Sequence, residues 1–245
     1  MSESPFDVEA TFDEDYLYFY GPRLDDASDG DAETIWRLLE LEPGMEVLDL
    51  CCGHGRIANR LAARGARVIG LDATPLFLEQ ARSDAAERGG QVEYVEGDMR
   101  SLPWGGRFDR AVSWFTSFGY FDDADNRRVL REACRVLKPG GRLLIESNNV
   151  SELFARWQPA IVVERDGDLS ITRTRFDPAT GRADSERINV RGGRVRRFRF
   201  FVRMFVAVEL RDWLLDAGFS EVALFGPDCE PLHAGSRRMI TVATR

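Results

Sequence analysis

The chain has 245 residues, 44% of them hydrophobic, with 33 Lys and Arg against 41 Asp and Glu for a formal net charge of −8. That length can bury a full α/β core in one main domain with an insertion, and the negative balance argues against a general grip on nucleic acid, which clustered Lys and Arg supply. The first twenty residues lack a basic stretch followed by an apolar run, and no segment approaches a membrane-spanning length, so a cytoplasmic protein is expected. Cys51, Cys52, Cys134 and Cys229 form no CxxC pairs and there are only two histidines, so free thiols and no metal site are expected.

From about Asp31 to Leu41, Ile35, Trp36, Leu38 and Leu39 recur at helical spacing, and the following Glu-Pro-Gly ends the helix. Tyr16, Tyr18, Phe19 and Tyr20 precede it, spaced too closely for one helical face. They read either as a packed N-terminal arm or as a lid over a ligand, with Arg23 a weaker member of the lid.

Val47 to Leu50 is a short buried strand, and glycines then open a helix with Ile57, Ala58, Leu61 and Ala62 on its apolar side. Arg67 to Leu71 is a second strand, Pro75 to Arg88 a helix with Pro in its first turn, and Val92 to Val95 a third strand. A strand at Phe108 to Ser113, a helix at about Ala124 to Leu137, a Lys138-Pro-Gly-Gly141 turn and a strand at Arg142 to Glu146 continue the rhythm. It predicts a parallel sheet with right-handed crossovers.

After Asn149 the pattern changes. Ile161–Glu164, Ser170–Phe176, Ala183–Val190 and Val195–Val206 read as strands of an antiparallel insertion. In the last, Phe198, Phe200, Val202, Met204 and Val206 share one face, and Arg197, Arg199, Phe201, Arg203 and Phe205 the other. One reading is a core face backed by a solvated face. The other is an Arg/Phe wall against a substrate cavity or a dimer seam. A helix at Ala207–Ala217 and strands at Glu221–Phe225 and Met239–Ala243 close the sheet.

The fold class expected is therefore α/β, a Rossmann-like doubly wound, mostly parallel seven-stranded sheet with a C-terminal antiparallel hairpin and an antiparallel insertion after the fifth strand. The organisation is an arm or lid over residues 1–30, a core over 31–149, the insertion over 150–206, and a completing helix and hairpin over 207–245.

Gly53-His-Gly55-Arg-Ile-Ala58 fits G-x-G-x-x-G/A between a strand and a helix, a turn that lets backbone approach a ligand. By itself it suits a nicotinamide or flavin dinucleotide equally well, and Asp72 at the end of the second strand suits a ribose diol in either case. Asp49 separates the readings: a carboxylate beside this turn repels a pyrophosphate and suits the ammonium of a methionine moiety. Asp98 can accept from an exocyclic adenine amine, with Ala73 and Met99 flanking the base. Singly, each acid reads as a cap or turn residue. Three at successive strand ends mark the edge where open α/β sheets bind ligands.

As an ordered set, DLCCGHG at Asp49–Gly55, LD at Leu71-Asp72, GDM at Gly97–Met99 and LKPGG at Leu137–Gly141 resembles class I S-adenosylmethionine-dependent methyltransferases over roughly Asp31 to Asn148. The resemblance implies that Asp49 and the Cys51, Gly53 and Gly55 loop hold the methionine portion, Asp72 the ribose, and Asp98 with Met99 the adenine, while Trp114-Phe115 covers the sulfonium. The aromatic N-terminus, the Ser117-Phe-Gly-Tyr120 run and the long insertion resemble small-molecule methyltransferases, including amino-sugar N-methyltransferases of antibiotic pathways. The Asn/Asp-Pro-Pro-aromatic motif of nucleic-acid amino-methyltransferases is absent, as Ser113-Trp-Phe-Thr116 stands in its place.

The expected activity is methyl transfer to an O, N or C atom of a small molecule, in secondary metabolism. Two alternatives stay open: a cofactor-binding protein of the same fold without methyl transfer, and a dinucleotide oxidoreductase. His233, in the Pro231-Leu-His-Ala loop, is the most titratable candidate base. Tyr16, Tyr20, Phe118, Tyr120 and Arg199 are candidates for the acceptor site. No nucleic-acid or membrane partner is expected, and the strands of the insertion allow a homodimer.

Overall fold

A computed structural model describes residues 7–88 and 92–245. Its main sheet has seven strands in the order β10-β11-β5-β4-β1-β2-β3, formed by β1 (Glu46–Leu50), β2 (Arg67–Asp72), β3 (Val92–Glu96), β4 (Phe108–Ser113), β5 (Leu137–Asn148), β10 (Glu221–Phe225) and β11 (Arg238–Thr244). β1 to β5 pair in parallel, whereas β11 runs antiparallel to both β5 and β10. This is the expected doubly wound sheet with its terminal hairpin.

Strand periodicity divides the core between the two sheet faces. Val47, Val68, Val112 and Leu144 pack with α2 (Glu14–Leu38), α3 (Arg56–Ala63) and α4 (Pro75–Arg88). Their neighbours Leu48, Ile69, Ala111 and Leu143 pack with α5 (Asp123–Val136) and α7 (Ala207–Asp216) on the other side. Because the central strands are buried on both faces, apolar residues stand at consecutive positions in them, as at Val47-Leu48, Val68-Ile69, Ala111-Val112 and Leu143-Leu144.

The Lys138-Pro-Gly-Gly141 segment lies inside the span of β5, where the pairing with β4 shifts register between Phe108 and Arg110. A Cβ on Gly141 would lie 2.8 Å from the Lys138 carbonyl oxygen, so the bulge needs glycine there.

The N-terminal region differs from expectation. After the short α1 (Val8–Thr11), α2 is one helix of 25 residues starting at Glu14, with Pro22 inside it. Proline at 22 removes the donor that would have served the Tyr18 carbonyl, and the Arg165 guanidinium donates to that carbonyl instead. The aromatic residues therefore do share helical faces: Tyr16, Tyr20 and Leu24 follow at i, i+4 and i+8, while Phe19 is buried and Tyr18 turns toward Arg165 and Arg191.

After the short α6 (Val150–Ala155), the insertion forms a separate antiparallel sheet in the order β6-β7-β8-β9, from β6 (Ala160–Arg165), β7 (Asp168–Asp177), β8 (Arg182–Arg191) and β9 (Arg194–Arg203). Two of its hairpins close through two-residue turns with positive φ at both positions, Asp166-Gly167 at 52° and 85° and Gly192-Gly193 at 54° and 78°. Such turns match the twist of the flanking strands. β9 ends at Arg203, three residues earlier than the alternating pattern, because Met204 and Phe205 leave the strand and are buried.

Candidate active site

A cavity of about 370 Å³ opens at the carboxyl ends of β1, β2 and β4 and is walled on its far side by α2 and the insertion, a size ordinary for a small-ligand site. On the strand side lie Asp49, Cys51, Gly53, Asp72, Ala73, Asp98, Met99 and Trp114.

Asp49 is buried at the end of β1, and its Oδ2 has no hydrogen-bond partner among the described residues. Burial pushes its carboxyl up to about 7; Arg56 opposes the rise and Asp72 adds to it. The chain then turns through Cys51 at φ 58° and Gly53 at φ 57°, where the Cys51 thiol donates to Met99 Sδ at 3.4 Å. Gly53 N–H donates to Asp72 Oδ2 at 2.8 Å and Thr74 N–H to Asp72 Oδ1 at 2.9 Å. Burial raises the Asp72 carboxyl, and these N–H bonds limit the rise. Each Asp72 oxygen still has acceptor capacity toward the cavity.

Gly55 needs a correction. It does not line the cavity: it is the left-handed N-cap of α3 (φ 77°), and a Cβ there would lie 2.8 Å from Ala81 Cβ and collide with the Tyr94 hydroxyl. It is a packing glycine that lets α3 meet α4 and β3. The Tyr94 hydroxyl in turn donates to Asn59 Oδ1 at 2.7 Å.

Asp98 is gripped by Arg100, which donates to both of its oxygens at 2.6 to 3.1 Å and also reaches Asp125 at 2.7 Å. Burial pushes the Asp98 carboxyl up, but the Arg100 bonds outweigh it and hold the group below the usual carboxylate range.

After Trp114, Phe115 and Thr116 are consecutive left-handed residues, φ 61° and 56°, a conformation that side chains with a Cβ adopt only when held. Thr116 N–H donates to Glu146 Oε2 at 3.2 Å, and Arg238 bonds both the Thr116 hydroxyl and the buried Glu146 carboxylate. The guanidiniums of Arg56 and Arg238 lie 5.3 and 5.9 Å from the Phe115 ring centroid.

Opposite, Phe12, Tyr16, Tyr20, Phe77 and Tyr120 form an aromatic wall with ring centroids 5.2 to 6.2 Å apart. Burial pushes the Tyr16 phenol up to about 12 and raises the Tyr120 phenol further. Arg187 of β8 completes this wall.

Three further expected site residues lie outside the cavity. Phe118 is buried against Phe205, stacked at 5.3 Å, because Gly119 (φ 114°) turns the chain so that Tyr120, and not Phe118, meets the cavity. Arg199 points to the outer face of the insertion, where its side chain is 83% exposed beside Glu186. His233 is exposed, its Nδ1 accepting from Gly235 N–H, and it does not line the cavity. The histidine that does is His54. It is buried, with burial lowering its basicity, and its Nε2 is 3.5 Å from Asp25. None of His54, Arg187, Glu146 and Arg238 is among the site residues expected from the sequence. The i, i+4 spacing of Tyr16 and Tyr20 was the available signal for the helical wall.

The strand side fits S-adenosylmethionine. The unpartnered Asp49 oxygen calls for a cationic or donor group, Asp72 has spare acceptor sites for a diol, and Ala73 and Met99 offer apolar surface.

A methyltransferase-domain family model matches residues 47–141. An uncharacterized methyltransferase of Synechocystis sp. is 33% identical over 152 residues, 60% of this chain and 69% of that protein. The demethylmenaquinone methyltransferase of Thermus thermophilus is 38% identical over 122 residues, 46% of this chain but only 54% of its own length. In fold, the S-adenosylmethionine-bound amino pentose methyltransferase of Micromonospora echinaspora superimposes with a TM-score of 0.65 at 24% identity, covering 97% of this chain and 99% of that one. With the donor-side residues, the sheet order and these matches in agreement, the chain belongs to the S-adenosylmethionine-dependent methyltransferase family.

Proposed function

We propose that the chain methylates a small molecule seated between the carboxyl edge of the sheet and the aromatic wall. The observation that carries this is that one cavity joins the two: acids at the strand ends on one side, Tyr16, Tyr20 and Tyr120 on the other. When bound, S-adenosylmethionine supplies a methyl group on a sulfonium that is already an activated leaving group. The residues here then bind, orient and exclude water. Asp49 would meet the methionine ammonium, Asp72 the ribose hydroxyls, Asp98 with Ala73 and Met99 the adenine, and Trp114 the sulfonium region.

Tyr16 and Tyr120 stay protonated at neutral pH and do not serve as bases. An acceptor nitrogen or oxygen would use a lone pair and an acceptor carbon an enol or enamine π pair, the acceptor's proton leaving to a group other than these phenols.

Residues 7–30 and 150–206 would act together as the acceptor-side cover on the core of 31–149, with 207–245 completing the sheet; residues 1–6 of the expected arm lie outside the described residues. Supporting this, Asp13 pairs with Arg196, Asp15 pairs with Arg191 at 3.1 Å, and the Tyr18 hydroxyl donates to the Arg165 carbonyl at 3.2 Å. The exposed edge strand β6, with Ile161 and Val162 more than half exposed, supports a homodimer. No helix among the described residues is long and apolar enough to cross a membrane, and four free cysteines accord with a reducing cytoplasm.

The test is release of S-adenosylhomocysteine on incubation with S-adenosylmethionine and a panel of hydroxy, amino and activated-carbon acceptors, together with calorimetry against S-adenosylmethionine and NAD. Product with at least one acceptor is expected. Tight binding of NAD alone overturns the reading.

A further inference from the structure

We infer that Arg187 is the anion-binding residue of the acceptor site, so that the acceptor carries a carboxylate or phosphate group. The inference rests on the methyl-transfer reading of the cavity and adds the charge class of the acceptor.

Three arginines line the cavity. Arg56 is paired with Asp31 at 2.6 Å, and Arg100 with Asp98 and Asp125 at 2.6 and 2.7 Å. Arg187 has no carboxylate partner among the described residues. Its sequence neighbour Glu186 cannot serve, because adjacent strand residues face opposite ways, and Glu186 lies 3.9 and 3.4 Å from Arg197 and Arg199 on the outer face. Asp15, the acid nearest along α2, is taken by Arg191 and Asn189. The phenols of Tyr16 and Tyr120 are neutral and offer no counter-charge.

The Arg187 guanidinium is nevertheless held in place. Its Nε donates to Thr172 Oγ1 at 3.0 Å, and its carbon lies 4.9 Å from the Tyr20 ring centroid and 5.0 Å from that of Phe200. Held this way, it keeps its two terminal NH₂ groups for a ligand, the fork that matches a carboxylate or phosphate. Ring faces stabilise a cation but do not neutralise it, so the wall presents net positive charge to the acceptor. An ammonium-bearing acceptor would meet repulsion there.

The test is calorimetry on the S-adenosylhomocysteine-loaded protein with four small probes: benzoate, phenyl phosphate, benzamide and benzylamine. Benzoate or phenyl phosphate should bind at least roughly tenfold more tightly than benzamide and benzylamine, the step expected of a charge-assisted pair, and the better of the two identifies the anion. Arg187→Met should abolish this preference while S-adenosylhomocysteine affinity stays within about twofold. Should Arg187→Met not fold, Arg187→Lys decides: it keeps a charge but loses the fork, so anion binding should weaken at least roughly threefold. Equal binding of charged and uncharged probes, binding of none, a preference that survives Arg187→Met, or unchanged anion binding in Arg187→Lys overturns the inference. Failure of the wild type to bind S-adenosylhomocysteine overturns instead the methyl-transfer reading on which it rests.

Discussion

Asp49→Asn should make the ligand-free protein more stable and its cofactor binding weaker. Asp49 is 2% exposed, with one oxygen unpartnered, and its carboxyl sits at about 7 against an ordinary 3.8. A carboxyl raised on folding holds its proton more tightly in the folded state. Its ionisation is therefore a cost to stability, absent below about 4, growing as pH rises, and complete above about 7. The rise from 3.8 to about 7 corresponds to on the order of 4 kcal/mol. An amide of the same shape removes that cost, and for a chain of this size the gain is on the order of 10 °C in Tm at most. Thermal denaturation of the two proteins from about pH 4.5 to 8.5 should show the variant ahead at the alkaline end and the gap closing on acidification. Calorimetry with S-adenosylmethionine should show wild-type affinity falling roughly tenfold per pH unit below about 7, because only the ionised fraction binds, with a weaker and flatter profile for the variant. A variant no more stable at about pH 8, or a gap that ignores pH, refutes the argument.

Gly55→Ala should lower Tm more than Gly53→Ala. Both positions have positive φ, but at Gly55 a Cβ also lies 2.8 Å from Ala81, whereas at Gly53 the nearest atom is Phe77 Cδ2 at 3.9 Å; overpacking adds about 1–3 kcal/mol to the shared backbone strain. Cofactor affinity, measured by calorimetry, should suffer at Gly53. Arg238→Met leaves the buried Glu146 carboxylate without its guanidinium; unfolding by urea should show a loss on the order of 3 kcal/mol, with turnover reduced as Phe115 and Thr116 relax. Deleting residues 1–20 removes Tyr16, Tyr20 and the acids paired to β8 and β9; circular dichroism should still report a folded core while turnover is lost, and full activity of the truncated chain would refute the cover. His233→Ala should leave turnover within about twofold, since its ring lies outside the cavity; a loss of a hundredfold would restore it as a base.

The donor half of the site is legible because it is local. Val47, Leu48 and Leu50 put apolar side chains on both faces, so the strand is visible as a run broken only at Asp49, and the Gly-rich turn, Asp72 and Asp98 follow at fixed distances from strand ends. What spacing conceals is what each glycine is for: Gly53 lines the cavity, while Gly55 answers to Tyr94, a residue of the third strand. The start of α2 is concealed for a similar reason. Gly21 and Pro22 disfavour a helix locally, and the compensating donor, Arg165, is 147 residues away from Tyr18. Phe118 and Tyr120 stand two apart in one aromatic run, and only the turn at Gly119 decides which of them faces inward.

The acceptor half is decided by register. Arg199, the arginine expected in the site, and Arg187, which lines the cavity, sit on opposite faces of the same pair of strands, with Arg187 opposite Phe198 and Glu186 opposite Arg199. A slip of one residue in β8 would turn Glu186 inward and Arg187 out, reversing the sign of the cavity wall. The turn that joins β8 to β9 in that register is short, Gly192-Gly193. Its glycines adopt φ values of 54° and 78° that few other residues accept. The sign of the cavity wall thus depends on backbone conformation at a turn outside the cavity and on strand pairings between residues distant in the chain.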